Sequence, residues 1–218
     1  MPFGYPVFLE LGGHTCVVIG ETAVRERKVE GLLAGGASLV RVVAEGPSSR
    51  LEEIERENGQ RVRVARRAWQ PEDLDGALLC VASSADAVTR SAIAREARRR
   101  RVLVNVMDDI ENCDWAAPSI VRRGDLVLAI STGGASPALA RMIRIELEDR
   151  FGTEWSDVLG VLKEIRQETL SQLPDLRERS RLWSEALDLE EATELAREGR
   201  LAELRDRLRS RLTLGVGS

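Results

Sequence analysis

The chain has 218 residues, with 32 Lys plus Arg against 36 Asp plus Glu, a formal net charge of −4, 43% hydrophobic and 31% charged residues. These proportions exclude a disordered chain and a short disulfide scaffold, and they leave room for one large domain or one domain with a smaller partner. A balanced, mildly acidic charge also argues against a general nucleic-acid binder, which needs a concentrated positive surface.

Lys28 and Lys163 are the only lysines, so arginine supplies nearly all the positive charge. Arginine's planar fork suits carboxylate partners, and codon bias in a GC-rich genome explains the same excess. Cys16, Cys80 and Cys113 are widely spaced and include no CxxC pair, which speaks against a disulfide framework or a structural zinc. The first eleven residues lack a basic segment followed by a long apolar one, and no run of about 18 apolar residues occurs, so the expectation is a cytoplasmic protein with no membrane span.

Between residues 15 and 106, short apolar runs alternate with helical stretches. The runs 16–19, 39–43, 62–64, 78–81 and 102–104 read as strands, and 23–33, 52–57 and 85–100 as helices. This alternation predicts an α/β fold, a doubly wound parallel sheet covered on both faces. Ligands of such sheets sit outside the carboxyl ends of the strands, so chemistry is sought in the loops after Ile19, Val43, Val81 and Val106. Past Val106, 119–121 and 126–130 read as a β-hairpin turned at Arg122-Arg123-Gly124-Asp125. A helix from Ala138 to about Arg150 follows, with Ser136 as its N-cap and Pro137 suited to its first position. From Glu154 onward the chain reads as helical.

Four features could carry chemistry. The first strand runs into Gly20-Glu21-Thr22-Ala23-Val24-Arg25, where a dinucleotide-binding loop would have G-x-G-x-x-G/A; only Gly20 meets that pattern. Arg25 reads either as a phosphate partner or as a solvent-facing side chain. Asp108, in Asn105-Val106-Met107-Asp108-Asp109, falls at the carboxyl edge of the sheet, as a catalytic carboxylate or as a turn cap. Nearby Asp109, Glu111 and Asp114 suggest an acidic patch able to meet a metal. Thr132-Gly133-Gly134-Ala135-Ser136-Pro137 combines two glycines with a helix amino terminus, which suits either an anionic substrate group or a simple capped junction. His14 and the four tryptophans read as structural, and Arg98 to Arg101 as a solvated helix end.

Taken together, these segments resemble the siroheme synthase amino-terminal family, the precorrin-2 dehydrogenase and sirohydrochlorin ferrochelatase proteins. The resemblance rests on Asn105 to Asp109, on Cys113-Asp114-Trp115 with Pro118, on Arg123-Gly124-Asp125-Leu126, and above all on Ser131 to Arg141 with Arg144. Glu26-Arg27-Lys28 adds to it, as do Arg179, Arg181 and Trp183 in the tail.

The resemblance implies a Rossmann-like NAD domain over 1–113, a segment over 114–150 that exchanges between subunits to form a homodimer, and a helical domain over 151–218. It further implies a carboxylate-rich tetrapyrrole substrate, hydride transfer from precorrin-2 to NAD, and insertion of ferrous iron into the resulting sirohydrochlorin. Asp108 would serve both steps and meet the metal transiently. Gly20, Glu21, Thr22, Ala44, Glu45, Ser83 and Ser84 would face NAD, and Thr132, Gly133, Gly134, Ser136 and Arg141 the substrate.

The chain departs from the family pattern where NAD should bind. G-G-G-x-x-A becomes Gly20 to Arg25, A-A-T-D-D becomes Ala82-Ser83-Ser84-Ala85-Asp86, and the usual Asn is Arg90. A carboxylate at Glu21 beside a pyrophosphate would repel it by on the order of 1 kcal/mol. Three readings follow: the bifunctional enzyme, a chelatase or related tetrapyrrole enzyme without NAD, and a non-catalytic tetrapyrrole or metal carrier.

Overall fold

The structure is a computed structural model and describes residues 4–20 and 23–213. It divides into two compact units, Met1–Ala117 and Pro118–Ser218.

The first unit carries β1 (Thr15–Ile19), α1 (Ala23–Ala34), β2 (Leu39–Val43), α2 (Ser49–Asn58), β3 (Val62–Ala65), β4 (Ala77–Ala82), α3 (Ala87–Arg99) and β5 (Leu103–Val106). All five strands are parallel, in the order β3-β2-β1-β4-β5. The central strands β1 and β4 are nearly continuous apolar runs because both of their faces are covered, whereas β2, β3 and β5 carry Arg41, Arg63 and Asn105. Alternate residues of β1 serve opposite cores: Cys16 and Val18 pack with Val29, Leu32, Leu51 and Ile54 of α1 and α2, whereas Val17 and Ile19 pack with Ile93, Ala94 and Ala97 of α3. Each fully buried Val, Leu or Ile contributes roughly 1.5–3 kcal/mol, and this two-sided burial fixes the strand ends that carry the loops.

Two helices begin where their caps dictate. Asp86 accepts from Val88 N at 3.2 Å and Thr89 N at 2.8 Å, so α3 starts at Ala87 rather than Ala85. Ser48 accepts from Leu51 N at 3.1 Å, which starts α2 before residue 52. The arginines at the end of α3 are ion-paired rather than merely solvated: Arg98 binds Asp114 at 2.9 Å, Arg99 binds Glu96 at 2.6 Å, and Arg100 pairs with Glu96 and Asp75.

The second unit opens with the antiparallel hairpin β6 (Ser119–Arg123) and β7 (Leu126–Ile130), turned at Gly124 with φ +57°. Helices α4 (Pro137–Arg150), α5 (Trp155–Gln172), α6 (Leu176–Ala186), α7 (Leu189–Arg197) and α8 (Leu201–Arg211) follow. Val158, Val161, Ile165, Leu195, Leu204 and Leu208 form its core, against which Leu126 and Phe151 pack. Arg123 donates to the carbonyls of Phe151 (2.8 Å) and Glu148 (3.1 Å), closing the carboxyl end of α4 onto the hairpin. Among the described residues, no helix is long and apolar enough to cross a membrane.

Candidate functional site

In the first unit the chain runs from β1 outward to β3 and then returns to the other side of β1 with β4 and β5, so the order reverses between β1 and β4. At this switch point a cavity of about 330 Å³ opens over the strand ends, lined by Gly20, Ala44, Glu45, Trp69, Ser83 and Ser84 among others. The structure thus brings together five of the seven residues expected to face NAD. Glu21 and Thr22 lie outside the described residues.

Gly20 is held by its N–H to Val43 O at 3.1 Å and has φ +149°. A Cβ there would stand 2.6 Å from Ser83 Oγ and 2.7 Å from Ser83 O, so only glycine lets the β1 and β4 loops approach this closely. Arg25 does not face solvent, one of its two expected readings. Only 4% exposed, it turns back on its own loop, donating to Gly20 O at 2.8 Å, and it is not among the residues lining the cavity. The close-approach glycine and the open cavity therefore fit a dinucleotide, and Arg25 does not fill the space one would need.

Sequence reasoning missed Trp69, which it read as core. The indole packs partly against the α3-side core and also lines the cavity. Its place after β3, at the same sheet edge, was the available signal. Beside it Arg67 grips Asp73 with two bonds, 2.8 and 2.6 Å, and Asp73 also accepts from Gln70 N at 2.7 Å. Burial pushes the Asp73 carboxyl up, but these donors outweigh it and hold it below its ordinary value.

Asp108 is exposed and sits two residues past β5 with φ +57°, a left-handed conformation that is unfavourable for a residue with a Cβ. Met107 N extends the sheet ladder to Ala82 O at 2.9 Å, and Asp109 N closes a turn on Val106 O at 3.3 Å. Because Ala82 pairs with Val106, Ser84 and Asp108 each lie two residues beyond paired strand ends. The predicted acidic patch does not form. Asp109 accepts from Arg90 Nε and Asn112 Nδ2, both at 3.0 Å, while Asp114 accepts from Arg98 at 2.9 Å and Val104 N at 3.2 Å. Among the described residues, no three His, Cys, Asp or Glu side chains gather as a metal ion would require.

In the second unit the glycine loop is internally bonded. Thr132 Oγ1 accepts from Ser136 N at 3.2 Å and donates to Ser136 O at 3.1 Å, and Ser136 Oγ caps α4 through Leu139 N at 3.1 Å. Gly133 and Gly134 have φ +61° and +83°. Both hydroxyls thus shape the loop, as the capped-junction reading expects, and backbone is what the two glycines present. Arg141, one turn into α4, is exposed.

A parallel sheet reversing between β1 and β4, with a cavity over the carboxyl ends of its strands, defines a Rossmann-like dinucleotide-binding-type domain. Residues 7–119 match a family model described as "Putative NAD(P)-binding", and residues 123–150 match one described as "Sirohaem biosynthesis protein central". The chain belongs to the siroheme synthase amino-terminal family.

It is 31% identical to the siroheme synthase of Methylococcus capsulatus over 89% of this chain and 40% of that protein. To the siroheme synthase of Chromobacterium violaceum it is 35% identical, over 84% of this chain and 38% of the relative. The chain therefore spans about two fifths of the length of these relatives. The solved structure of SirC, a precorrin-2 dehydrogenase, matches it with a TM-score of 0.70 at 25% identity, covering 95% of this chain and 100% of that one.

Proposed function

We propose that the chain oxidises precorrin-2 to sirohydrochlorin with NAD and then assists insertion of ferrous iron to give siroheme. The observation that carries this reading is the position of Asp108, strained and exposed, at the strand end adjoining the one that delivers Ser83 and Ser84 to the cavity. NAD, when bound, supplies a hydride acceptor. Gly20, Ala44, Glu45, Ser83 and Ser84 would hold it, with Glu21 and Thr22 completing the loop.

Both reactions remove protons from the macrocycle. Loss of hydride from precorrin-2 is accompanied by loss of one proton, and entry of a divalent ion expels two N–H protons. One carboxylate at the edge of the site can accept them in turn, which is the role assigned to Asp108. During insertion the same carboxylate would meet the incoming ion, which is a substrate here. Gly134 and Ala138, at the start of α4, offer backbone N–H groups to substrate carboxylates, the Gly133 N–H being bonded to Ser131 Oγ, and Arg141 offers a charge, with Thr132 and Ser136 setting the loop's shape. A homodimer is supported by the exposed apolar stripe of Leu139, Met142 and Ile145 on α4, with Ile120 on β6.

The test incubates the chain with precorrin-2 and NAD, and in parallel with sirohydrochlorin and ferrous or cobaltous ion, following each macrocycle's absorbance. Turnover in both arms is expected. Insertion alone would indicate a chelatase without NAD, and turnover in neither arm would indicate a carrier.

A further inference from the structure

We propose that Arg90 is a positioning residue that locks the Asp108 loop to the Ser83–Ser84 loop, so that cofactor contact and proton acceptor are held in one geometry; this rests on the functional reading above. Arg90 lies in the first turn of α3, and its side chain is 23% exposed. Its Nη1 donates to the carbonyls of Ser84 at 2.8 Å and Ala85 at 3.0 Å, and its Nε donates to Asp109 Oδ2 at 3.0 Å. One guanidinium therefore bonds the segment after β4 and the residue directly after Asp108.

The lock matters because Asp108 is not in a relaxed conformation. A left-handed φ costs most residues with a Cβ roughly 1–2 kcal/mol and costs Asp and Asn less, and it is kept here by the bonds that flank the turn. On one side Asp108 is anchored by Met107 N to Ala82 O, and on the other by the Asp109 carboxylate. Removing Arg90 leaves the Asp109 carboxylate only Asn112 Nδ2, three residues away on its own loop, while the Asp109 backbone keeps its bonds to Val106 O, Asn112 N and Cys113 Sγ. The side-chain tie between the Asp108 turn and the segment after β4 is then lost, leaving the backbone bond of Met107 N to Ala82 O, and the Asp108 carboxylate shifts relative to Ser83 and Ser84. The fork is required: its donors point in fixed, divergent directions, whereas a lysine ammonium is a point charge that can serve the carbonyls or the carboxylate. An asparagine in its place would be too short to span both loops.

The experiment compares wild type, Arg90→Ala, Arg90→Lys and Asp109→Asn by amide hydrogen exchange without ligand and by steady-state kinetics of both reactions. Arg90→Ala is expected to speed exchange over 107–112 at least tenfold while the second unit is unchanged. Its kcat should fall about 10- to 100-fold in both reactions, the scale of a misplacement near 1 Å, with KM for NAD raised only a fewfold. Arg90→Lys should recover thermal stability without recovering kcat.

Exchange and kcat within twofold of wild type in Arg90→Ala would overturn the lock. So would recovery of stability and kcat together in Arg90→Lys, which marks a purely structural role. If wild type turns over neither substrate while exchange over 107–112 still rises in Arg90→Ala, the functional reading fails and the lock stands.

Discussion

Gly20 and Ser83 approach so closely that a single added carbon on Gly20 would lie 2.6 Å from the Ser83 hydroxyl and 2.7 Å from its carbonyl oxygen. The contact joins the ends of β1 and β4 at the point where the strand order reverses, and Ser83 N reciprocates with a 2.8 Å bond to Ile19 O. Gly20→Ala must therefore push the loops apart and strain a φ of +149°. We predict destabilisation of about 1–3 kcal/mol, measured by denaturant unfolding, and loss of NADH binding measured by fluorescence. A variant that binds NADH with wild-type affinity would show that the close approach is dispensable.

The left-handed conformation of Asp108 separates its fold cost from its chemistry. Glycine adopts this conformation freely and Asn tolerates it, whereas Ala does not. Asp108→Gly should therefore melt higher than Asp108→Ala, by a difference of about 1 kcal/mol, with Asp108→Asn close to wild type. Scanning calorimetry gives the order, and equal melting of the Gly and Ala variants would mean that the turn relaxes without strain.

Asp109 and Asp73 are two of the carboxylates that contribute to the acid limb of stability, alongside Asp86 and Glu191 among others. Asn112 and Arg90 hold Asp109 below the ordinary carboxylate range, and Asp73 is also net lowered because Arg67 and the Gln70 N–H outweigh its burial. A depressed folded pKa means that the unfolded chain binds more protons. The stabilisation is thus complete above the unfolded value of about 4 and drains away as pH falls through the folded values. Asp73→Asn and Asp109→Asn should be less stable than wild type near neutrality and converge with it in acid. Denaturation midpoints across this range give the answer; differences that persist undiminished at low pH would contradict it.

The apolar stripe on α4 predicts self-association. Met142 is 67% exposed and Ile145 50%, so Met142→Glu and Ile145→Glu should shift a dimer to monomer in sedimentation velocity without altering the circular dichroism of the helices. A wild-type chain that sediments as a monomer at micromolar concentration would exclude the dimer.

The central strands were legible because burial on both faces keeps them apolar, as in the runs at 16–19 within β1 and 78–81 within β4, and the runs at 39–43 and 126–130 match β2 and the hairpin strand β7 residue for residue. Helix starts were less so, since the capping roles of Asp86 and Ser48 depend on local backbone geometry that periodicity does not encode. The acidic patch was misjudged for a related reason: the partners of Asp109 and Asp114 are Arg90 and Arg98, 19 and 16 residues away. Such pairings exist only once α3 has docked on the sheet. Arg25 shows the same limit, since no spacing rule distinguishes a side chain that meets solvent from one that folds back onto Gly20.

The central claim is that one carboxylate, Asp108, takes the protons of both reactions. The most direct measurement is kcat of Asp108→Asn for NAD-dependent oxidation of precorrin-2 and for metal insertion into sirohydrochlorin, with NADH affinity measured on the same preparation. A fall of about 100-fold or more in both, at unchanged NADH affinity, is the predicted result. Wild-type turnover in either reaction would contradict it.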